Sequence, residues 1–399
     1  MKILQLCHKP PLPAVDGGCI AMNNITQGLL KSGHKVKILT IYTFKHDFMP
    51  ERMSKEYLDA TNIEGVYVDT RLNAIDAFSS FITADSYNVN RFFSTDFDIK
   101  LSRILKNETF DVIHIESLFM TPYLGTIRRY SKASVFLRAH NLEFVIWEKI
   151  AKGTRNIFKK IYLIYLSKKL RSYEVKTLNE VAGIAAISEE DRKRFISMGI
   201  QRPIETIPFG IDYASYAHRR NKEPEMALFH LGSMDWSPNL EGIQWFLNEV
   251  WPKVRIQRPH LKLYLAGRSM PEEQFADKYE NMEVVGEVDD AKDFMSSKAI
   301  MIVPLLSAGG VRVKIIEGLA LGKVIISTSI GAEGSDCTDN KDILIADTPG
   351  EWVKAIDRLF EEKDLLHRLS TNAMIHAQKF DNDSIIQSLL SFYKKNRKS

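Results

Sequence analysis

The sequence contains little cysteine and no long apolar run. Its 399 residues include three cysteines, Cys7, Cys19 and Cys337, which lack metal-ligand spacing and cannot all pair with one another. A reducing compartment is the simplest expectation. No stretch is apolar and long enough to span a bilayer. The apolar segment 3–7 is too short for a secretory signal, and we therefore expect a cytoplasmic protein.

Neither sign of charge dominates the chain. It has 54 basic and 50 acidic residues, which gives a formal net charge of +4. This balance argues against a nucleic-acid partner, because nucleic-acid-binding domains usually have a strong basic excess. The chain is 45% hydrophobic and 26% charged, a composition typical of globular domains, and its length suggests two or three of them.

Several motifs of other enzyme classes are absent. The sequence has no P-loop, no H-E-x-x-H, no G-x-S-x-G and no cluster of cysteine and histidine. A D-x-D pattern at Asp96 and Asp98 precedes a helical segment, where acidic residues favour the helix N-terminus over a metal. We therefore expect no metal site, and the missing dinucleotide fingerprint argues against a nicotinamide cofactor.

Short apolar runs alternate with longer helical patterns along the whole chain. The runs are continuous, as in strands that are covered on both faces. Such alternation predicts doubly wound parallel sheets. The predicted strands are 3–7, 36–41, 66–68, 112–115, 135–139, 184–187, 228–231, 261–266, 283–285, 300–303, 324–327 and 343–345. The predicted helices include 19–32, 97–106, 177–181, 240–257, 291–296, 313–321, 352–361, 365–379 and 384–395.

The alternation is interrupted near 202–212, where Pro203, Pro208 and Gly210 occur close together. We divide the chain there into an N-terminal domain, 1–203, and a C-terminal domain, 204–380. Residues 381–399 form a last helix that we expect to pack back on the first domain. Two facing domains of Rossmann type make the cleft between them the default active site.

Polar residues follow three strands of the first domain, at the edge where open parallel sheets bind ligands. Gly17 and Gly18 follow the first strand and enter a helix, so their backbone N–H groups can approach an anion. A plain strand-to-helix turn is the alternative. His140, Asn141 and Glu143 follow a later strand, and the imidazole can serve as an acid, a base or a hydrogen-bonding group. A capping or core histidine is equally compatible with the pattern.

The preceding strand ends with His114 and Glu116, which share this location with weaker support. Glu116 can also cap the next element. In the second domain, Gly232 and Ser233 open a turn that enters a helix, with Asn239 predicted to cap it. An ordinary strand, turn and cap explain most of that segment.

The segment 307–322 is the clearest candidate for an anion site. A flexible turn containing Gly309, Gly310 and Val311 enters a helix whose first turn has Arg312 and Lys314. Cations at a helix N-terminus oppose the helix dipole and cost about 0.3–1 kcal/mol each, so their presence favours a bound anion such as phosphate.

Glu317 lies one turn beyond Lys314 and can share its face of the helix. A carboxylate in this place can bind paired ribose hydroxyls. The alternative is an ordinary surface ion pair between the two residues.

The segment 149–176 is basic and rich in isoleucine and aromatic residues. A helix of this composition can lie on an anionic membrane, with contact through 152–171. It can equally be a domain helix with one buried stripe and one solvated face.

These segments together resemble the retaining glycosyltransferases of family four, which have the GT-B fold. The resemblance covers nearly the whole chain and is most specific over 309–334. The family usually has two glutamates separated by seven residues; Glu317 matches the second, but the first falls on Gly309. Many members also have Arg and Lys in the turn where this chain has Ser233 and Pro238.

The resemblance implies two Rossmann-like doubly wound parallel-sheet domains facing across a cleft, with the acceptor bound by 1–203 and a nucleotide-diphosphate sugar bound by 204–380. It implies no cofactor and no metal, and transfer with retention of configuration to a glycan, lipid-linked or other hydroxyl acceptor. Synthesis of cell-surface polysaccharide or lipopolysaccharide follows by analogy. A nucleotide-sugar 2-epimerase and a catalytically silent nucleotide-sugar-binding protein remain alternatives on the same fold.

The site residues expected from the motifs and the resemblance fall into three groups. The catalytic residues are His140, Arg312 and Lys314. The donor-binding residues are Gly17, Gly18, Gly232, Ser233, Gly309, Gly310, Val311 and Glu317. The acceptor-side residues are His114, Glu116, Asn141 and Glu143.

Overall fold

The computed structural model describes residues 1–71, 87–154, 156–220, 223–275, 279–307, 312–362 and 364–397. The chain forms two compact units. The first comprises Met1–Gly210 and Asn382–Ser399, and the second comprises Ile211–Asp381. The first unit continues past residue 203, where the sequence suggested a boundary, because Ile204–Thr206 is a strand of the first sheet.

The first unit alternates strands and helices, as the hydrophobic pattern predicts. Its strands are β1 Lys2–Cys7, β2 Lys35–Tyr42, β3 Glu64–Tyr67, β4 Val112–Glu116, β5 Ser134–Ala139, β6 Gly183–Ala186 and β7 Ile204–Thr206. Its helices up to residue 210 are α1 Gly17–Lys31, α2 Lys55–Thr61, α3 Tyr87–Asn90, α4 Thr95–Asn107, α5 Leu124–Tyr130, α6 Glu143–Gly153, α7 Ile157–Leu178 and α8 Glu189–Ser197. The 3₁₀ turns are Pro50–Arg52 and Leu118–Tyr123.

All seven strands of the first sheet run parallel in the order β3-β2-β1-β4-β5-β6-β7. Strands β4 and β6 are fully buried, as expected for parallel strands that helices cover on both faces. The order reverses between β1 and β4, where Gln5 pairs with His114 and Cys7 pairs with Glu116. In open α/β sheets a ligand binds beyond the carboxyl ends of the strands at such a reversal.

The second unit repeats this plan in a smaller sheet. Its strands are β8 Glu225–Leu231, β9 Leu263–Ala266, β10 Met282–Gly286, β11 Lys298–Val303, β12 Val324–Ser327 and β13 Leu344–Ile345. They are parallel in the order β10-β9-β8-β11-β12-β13, so the order reverses between β8 and β11. This pair of sheets confirms the predicted fold class of two Rossmann-like parallel-sheet domains.

The helices of the second unit lie between these strands and after them. They are α9 Tyr213–His218, α10 Ser237–Trp245, α11 Trp251–Gln257, α12 Glu272–Phe275, α13 Ala291–Ser296, α14 Val313–Ala320, α15 Ser329–Ala332, α16 Pro349–Glu361 and α17 Leu365–Ala377, with a 3₁₀ turn at Gln378–Phe380. A π-helical turn, Phe246–Val250, joins α10 to α11. The widened turn precedes Pro252, which has no N–H group to continue the α-helical ladder.

The chain returns to the first unit as α18, Asn382–Asn396. Its buried side chains include Ile386, which lies so close to Gly28 of α1 that a Cβ at residue 28 would be 2.3 Å from Ile386 Cγ1. The ring of Tyr393 packs 4.7 Å from that of Phe136 on β5. These contacts make α18 part of the core of the first unit.

The predicted helix 177–181 is wrong as a separate element, because α7 already ends at Leu178 and residues 179–182 form the turn into β6. Within the described ranges, none of the helices combines the length and apolarity that a membrane crossing requires.

Candidate functional sites

The first candidate site lies where β1 and β4 separate at the carboxyl edge of the first sheet. Glu116 ends β4 and is fully buried. Its Oε1 accepts hydrogen bonds from Gln5 Nε2 and His114 Nε2, both at 3.0 Å. Its Oε2 lies 2.7 Å from Nε2 of His140, which follows β5. Three adjacent strands thus direct polar side chains to one buried carboxylate.

The charge of Glu116 sets the proton positions in this network. Burial alone would raise the pKa of Glu116, but the hydrogen bonds from His114 and His140 and the charge of nearby Arg138 hold it well below the usual value. An ionised carboxylate only accepts hydrogen bonds, so both histidines must have their proton on Nε2. Burial lowers the pKa of His140, which favours the neutral ring despite the opposing effect of Glu116.

The network continues to the C-terminal helix. The hydroxyl of Tyr393, on α18, lies 2.5 Å from Nδ1 of His114. Gln5 is held in turn by Thr26, whose hydroxyl donates to Gln5 Oε1 at 2.7 Å. The hydrogen bonds from His114 and His140 thus converge on Glu116, and Nδ1 of a neutral His140 is left as an acceptor.

Arg138 gives the buried carboxylate a partner charge without a direct ion pair. Its guanidinium is fully buried on β5 and donates to the backbone oxygens of Ala21 at 3.3 Å and Pro208 at 3.1 Å. The same group lies 5.1 Å from the ring centre of Phe209. The core of this unit therefore contains an anion and a cation that compensate one another.

The glycine turn after β1 is closed by an aspartate that the motif analysis did not single out. Asp16 caps α1 by accepting from the backbone N–H of Cys19 at 2.9 Å. It also accepts from Lys9 Nζ at 2.7 Å and lies 3.0 Å from His46 Nε2. Gly17 begins the helix, and a Cβ at Gly18 would lie 2.8 Å from the Lys9 ammonium. The loop thus brings positive charge to the helix N-terminus.

Three of the predicted acceptor-side residues, Glu116 among them, are too deeply buried for direct ligand contact in this conformation. His114 is fully buried between Glu116 and Tyr393, which gives it a positioning role. Glu143 is buried at the start of α6, and burial raises its pKa to about 7. Asn141 is partly exposed. His8, which the motif analysis missed, stacks edge-on to His140 with ring centres 5.7 Å apart.

The second candidate site lies where β8 and β11 separate in the second sheet. Lys314, in the first turn of α14, reaches across this point. Its ammonium donates to Asn239 Oδ1 at 3.0 Å and, more weakly, to the carbonyl of Leu231 at the end of β8, at 3.4 Å. Asn239 does not cap α10 as predicted: its amide donates to the Ser233 carbonyl at 2.9 Å, and Trp236 occupies the cap position.

Two cations meet at this point. Burial, together with the charge of Arg312, lowers the pKa of Lys314 to about 7. Burial also lowers the pKa of Arg312 to about 10, against the opposing effect of Glu333. The Arg312 guanidinium lies 5.6 Å from the ring centre of Trp236. The described contacts of Lys314 are to neutral oxygens, so an anion here would relieve the cost of burying its charge.

Glu317 does not pair with Lys314. Its Oε1 accepts a hydrogen bond of 2.6 Å from the hydroxyl of Tyr216 on α9. Burial raises the pKa of Glu317, while Tyr216 and Lys292 oppose that effect. Lys314 and Glu317 therefore do not form the surface ion pair that was the alternative to an anion site. Lys314 contacts Asn239, and Glu317 contacts Tyr216.

The turn after β8 is tightly packed. A Cβ at Gly232 would lie 2.7 Å from Asn239 Nδ2 and 3.0 Å from His230 Nε2. His230 is fully buried, and Nε2 has no hydrogen-bond partner in the described part of the chain. Ser233 donates to Asp235 at 2.5 Å. This site therefore contains a buried histidine, His230, that the sequence motifs did not indicate.

Three predicted donor-binding residues, Gly309, Gly310 and Val311, lie outside the described residues. Among the residues that the structure does describe, no group of three histidine, cysteine, aspartate or glutamate side chains is placed to hold a metal ion.

Two family matches together span most of the chain. Residues 15–215 match the family described as Glycosyltransferase Family 4, and residues 225–362 match the family described as Glycosyl transferases group 1. The first match alone covers half of the chain. The chain therefore belongs to Glycosyltransferase Family 4, and its two parallel sheets give it the GT-B fold.

Similar proteins support the same assignment of fold. A Klebsiella pneumoniae relative named "Uncharacterized 44.6 kDa protein in cps region" is 25% identical, over 97% of this chain and 98% of that protein. Sucrose-phosphate synthase from Thermosynechococcus elongatus is 14% identical with a TM-score of 0.70, over 99% of both chains. Anabaena HepE in complex with UDP is 13% identical with a TM-score of 0.63, over 99% of this chain and 100% of that chain.

The Glu116 network predicts the tautomer of His140. Because the carboxylate accepts from Nε2, the neutral ring has its proton on Nε2 and a lone pair on Nδ1. Two-bond ¹H–¹⁵N correlation of histidine-labelled protein at pH 7.5 checks this pattern, with His140→Asn identifying the signal. An Nδ1-protonated ring would contradict the proposed direction of the hydrogen bond to Glu116.

Proposed function

We propose that this glycosyltransferase moves a sugar from a nucleotide-diphosphate sugar to a hydroxyl acceptor, a glycan or a lipid-linked saccharide, with retention of configuration and without a metal ion. The observation that supports the donor class most strongly is the pair of cations at the β8/β11 reversal. Lys314 and Arg312 lie at the N-terminus of α14, where the helix dipole also favours an anion. A diphosphate offers enough negative charge to neutralise both.

The remaining donor contacts follow from the neighbouring side chains. Glu317, one turn along α14, would bind the ribose hydroxyls, and its carboxylate accepts a hydrogen bond from Tyr216. Gly232 and Ser233 would contact the donor from the turn after β8, which packs so tightly that a Cβ at residue 232 would lie 2.7 Å from Asn239 Nδ2. We retain Gly17, Gly18, Gly309, Gly310 and Val311 as donor-binding residues.

The leaving diphosphate gains negative charge as the glycosidic bond breaks. Lys314 and Arg312 would stabilise that charge, and their weakly solvated environment strengthens the effect. His140 would accept a hydrogen bond from a sugar hydroxyl through Nδ1, since Nε2 is occupied by Glu116. Retention would proceed by attack on the face of the departing phosphate, which takes up the acceptor proton.

Solved structures of similar fold agree with this class of donor. HepE from Anabaena is described in complex with UDP and with UDP-glucose. For the acceptor, we propose Asn141 as an acceptor-side residue and the buried His114, Glu116 and Glu143 as positioning residues. The setting in cell-surface polysaccharide or lipopolysaccharide synthesis, on the cytoplasmic side, rests on the family resemblance.

A thermal-shift screen of nucleotide-diphosphate sugars tests the donor class directly. A ligand at a hundred times its dissociation constant should stabilise the protein by about 2.7 kcal/mol. Glu317→Gln should reduce the shift, whereas Glu361→Gln, an exposed change on α16, should leave it intact. A donor that binds and then changes into its epimer without an acceptor would contradict transferase activity, and donor binding without transfer across a glycan and lipid-linked panel would indicate a silent binding protein.

The role of Lys314 predicts a specific kinetic loss. Lys314→Ala should lower kcat by about two orders of magnitude, because one contact to a developing anion is worth roughly 3 kcal/mol. Steady-state kinetics with the donor found by the screen measures this effect. Lys253→Ala, an exposed change on α11 of the same unit, serves as the control. Unchanged kcat in Lys314→Ala would remove the leaving-group role.

A further inference from the structure

Helix α7 has two apolar faces, and the first unit covers only one of them. Leu163, Leu166 and Leu170 follow the i, i+3, i+7 spacing of one helix face and are buried. Ile157, Ile161 and Ile164 follow the i, i+4, i+7 spacing of another face and are exposed. A helix on a globular domain needs one apolar stripe, and the described part of this unit leaves the second stripe exposed.

The exposed stripe is continued by neighbouring apolar residues. Phe158, which follows Ile157, is 81% exposed, more than any other aromatic residue among those described. Ile150, near the end of α6, is also exposed, and α6 packs against α7. Scattered exposed apolar residues are ordinary, but several in a 15-residue stretch at the tip of a helical hairpin form a patch that marks a binding surface. We call residues 150–154 and 156–164 the hairpin patch.

The charge around the hairpin patch is of one sign. From residue 149 to residue 173 the chain has no aspartate or glutamate, and its eight basic residues are Lys149, Lys152, Arg155, Lys159, Lys160, Lys168, Lys169 and Arg171. The whole chain has a net charge of only +4, so the rest of the protein is net negative. Lys152, Lys159 and Lys168 are exposed beside the apolar residues.

We propose that the hairpin patch docks on an anionic lipid surface. Exposed isoleucine and phenylalanine can enter the boundary between headgroups and acyl chains, while the lysines contact the anionic headgroups. A protein partner or a second copy would have to offer both an apolar groove and a concentrated negative charge. The lipid surface meets both requirements at once and explains why the lysines border the apolar side chains.

Vesicle flotation of the full-length protein, without donor or acceptor, tests this proposal independently of the proposed function. The protein should float with vesicles of phosphatidylcholine and phosphatidylglycerol at 7:3 and bind pure phosphatidylcholine at least tenfold more weakly. Phe158→Ser/Ile161→Ser should weaken binding to the anionic vesicles at least tenfold, about 1.4 kcal/mol. Because both side chains are exposed, the melting temperature should stay unchanged.

Matched control variants distinguish binding through the hairpin patch from nonspecific adsorption to the vesicles. Ile256→Ser/Ile375→Ser removes two isoleucines of the second unit that are 82% and 58% exposed, and binding should not change. Lys152→Glu/Lys159→Glu should abolish the preference for anionic vesicles, whereas Lys354→Glu on α16 should preserve it.

Three results would overturn the proposal. Wild-type protein that fails to float with anionic vesicles would do so, as would equal flotation of Phe158→Ser/Ile161→Ser. A dimer in sedimentation velocity that dissociates in the same double variant would instead assign the hairpin patch to contact between two copies.

Discussion

One side chain ties together the second unit at the point where its strand order reverses. Lys314 enters from the helix after β11 and binds the carbonyl at the end of β8 and the amide of Asn239, so it spans both sides of the reversal. This arrangement places an ammonium group among neutral oxygens, with a second cation, Arg312, nearby. The proposed donor class and the leaving-group role both depend on Lys314 and Arg312.

The first unit has a charge of the opposite sign at its own strand reversal. There the buried charge is the Glu116 carboxylate, and amide and imidazole N–H groups satisfy it from three strands. Each oxygen of Glu116 already accepts from protein donors. The described contacts of Lys314, in contrast, are to neutral oxygens. This difference agrees with the two proposed roles. Glu116 orients His140 in the first unit, and Lys314 and Arg312 bind an anionic ligand in the second.

The sequence predicted the two sheets and most of their strands, because continuous apolar runs identify buried parallel strands without any knowledge of their partners. It missed β7, whose residues Ile204–Thr206 are only partly buried and include a glutamate. The partners of the site residues could not be found in this way. Tyr393 is 279 residues from His114 and Tyr216 is 101 residues from Glu317, and no local spacing connects residues so far apart. Asn239 has the composition of a helix cap, but its role depends on Lys314, which α14 brings to it.

We expect Lys314 to be a partly neutral amine in the free protein and to gain a proton when a diphosphate binds. With a pKa of about 7 in the free protein, most molecules at pH 8 have a neutral Lys314, and the phosphate charge would raise that pKa. Isothermal titration calorimetry of the best nucleoside diphosphate, in two buffers of different ionisation enthalpy, should show uptake of close to one proton at pH 8. The dissociation constant should rise by up to about tenfold per pH unit above pH 7, and Lys314→Ala should lose both effects. Binding without proton uptake and with an affinity independent of pH would contradict the account.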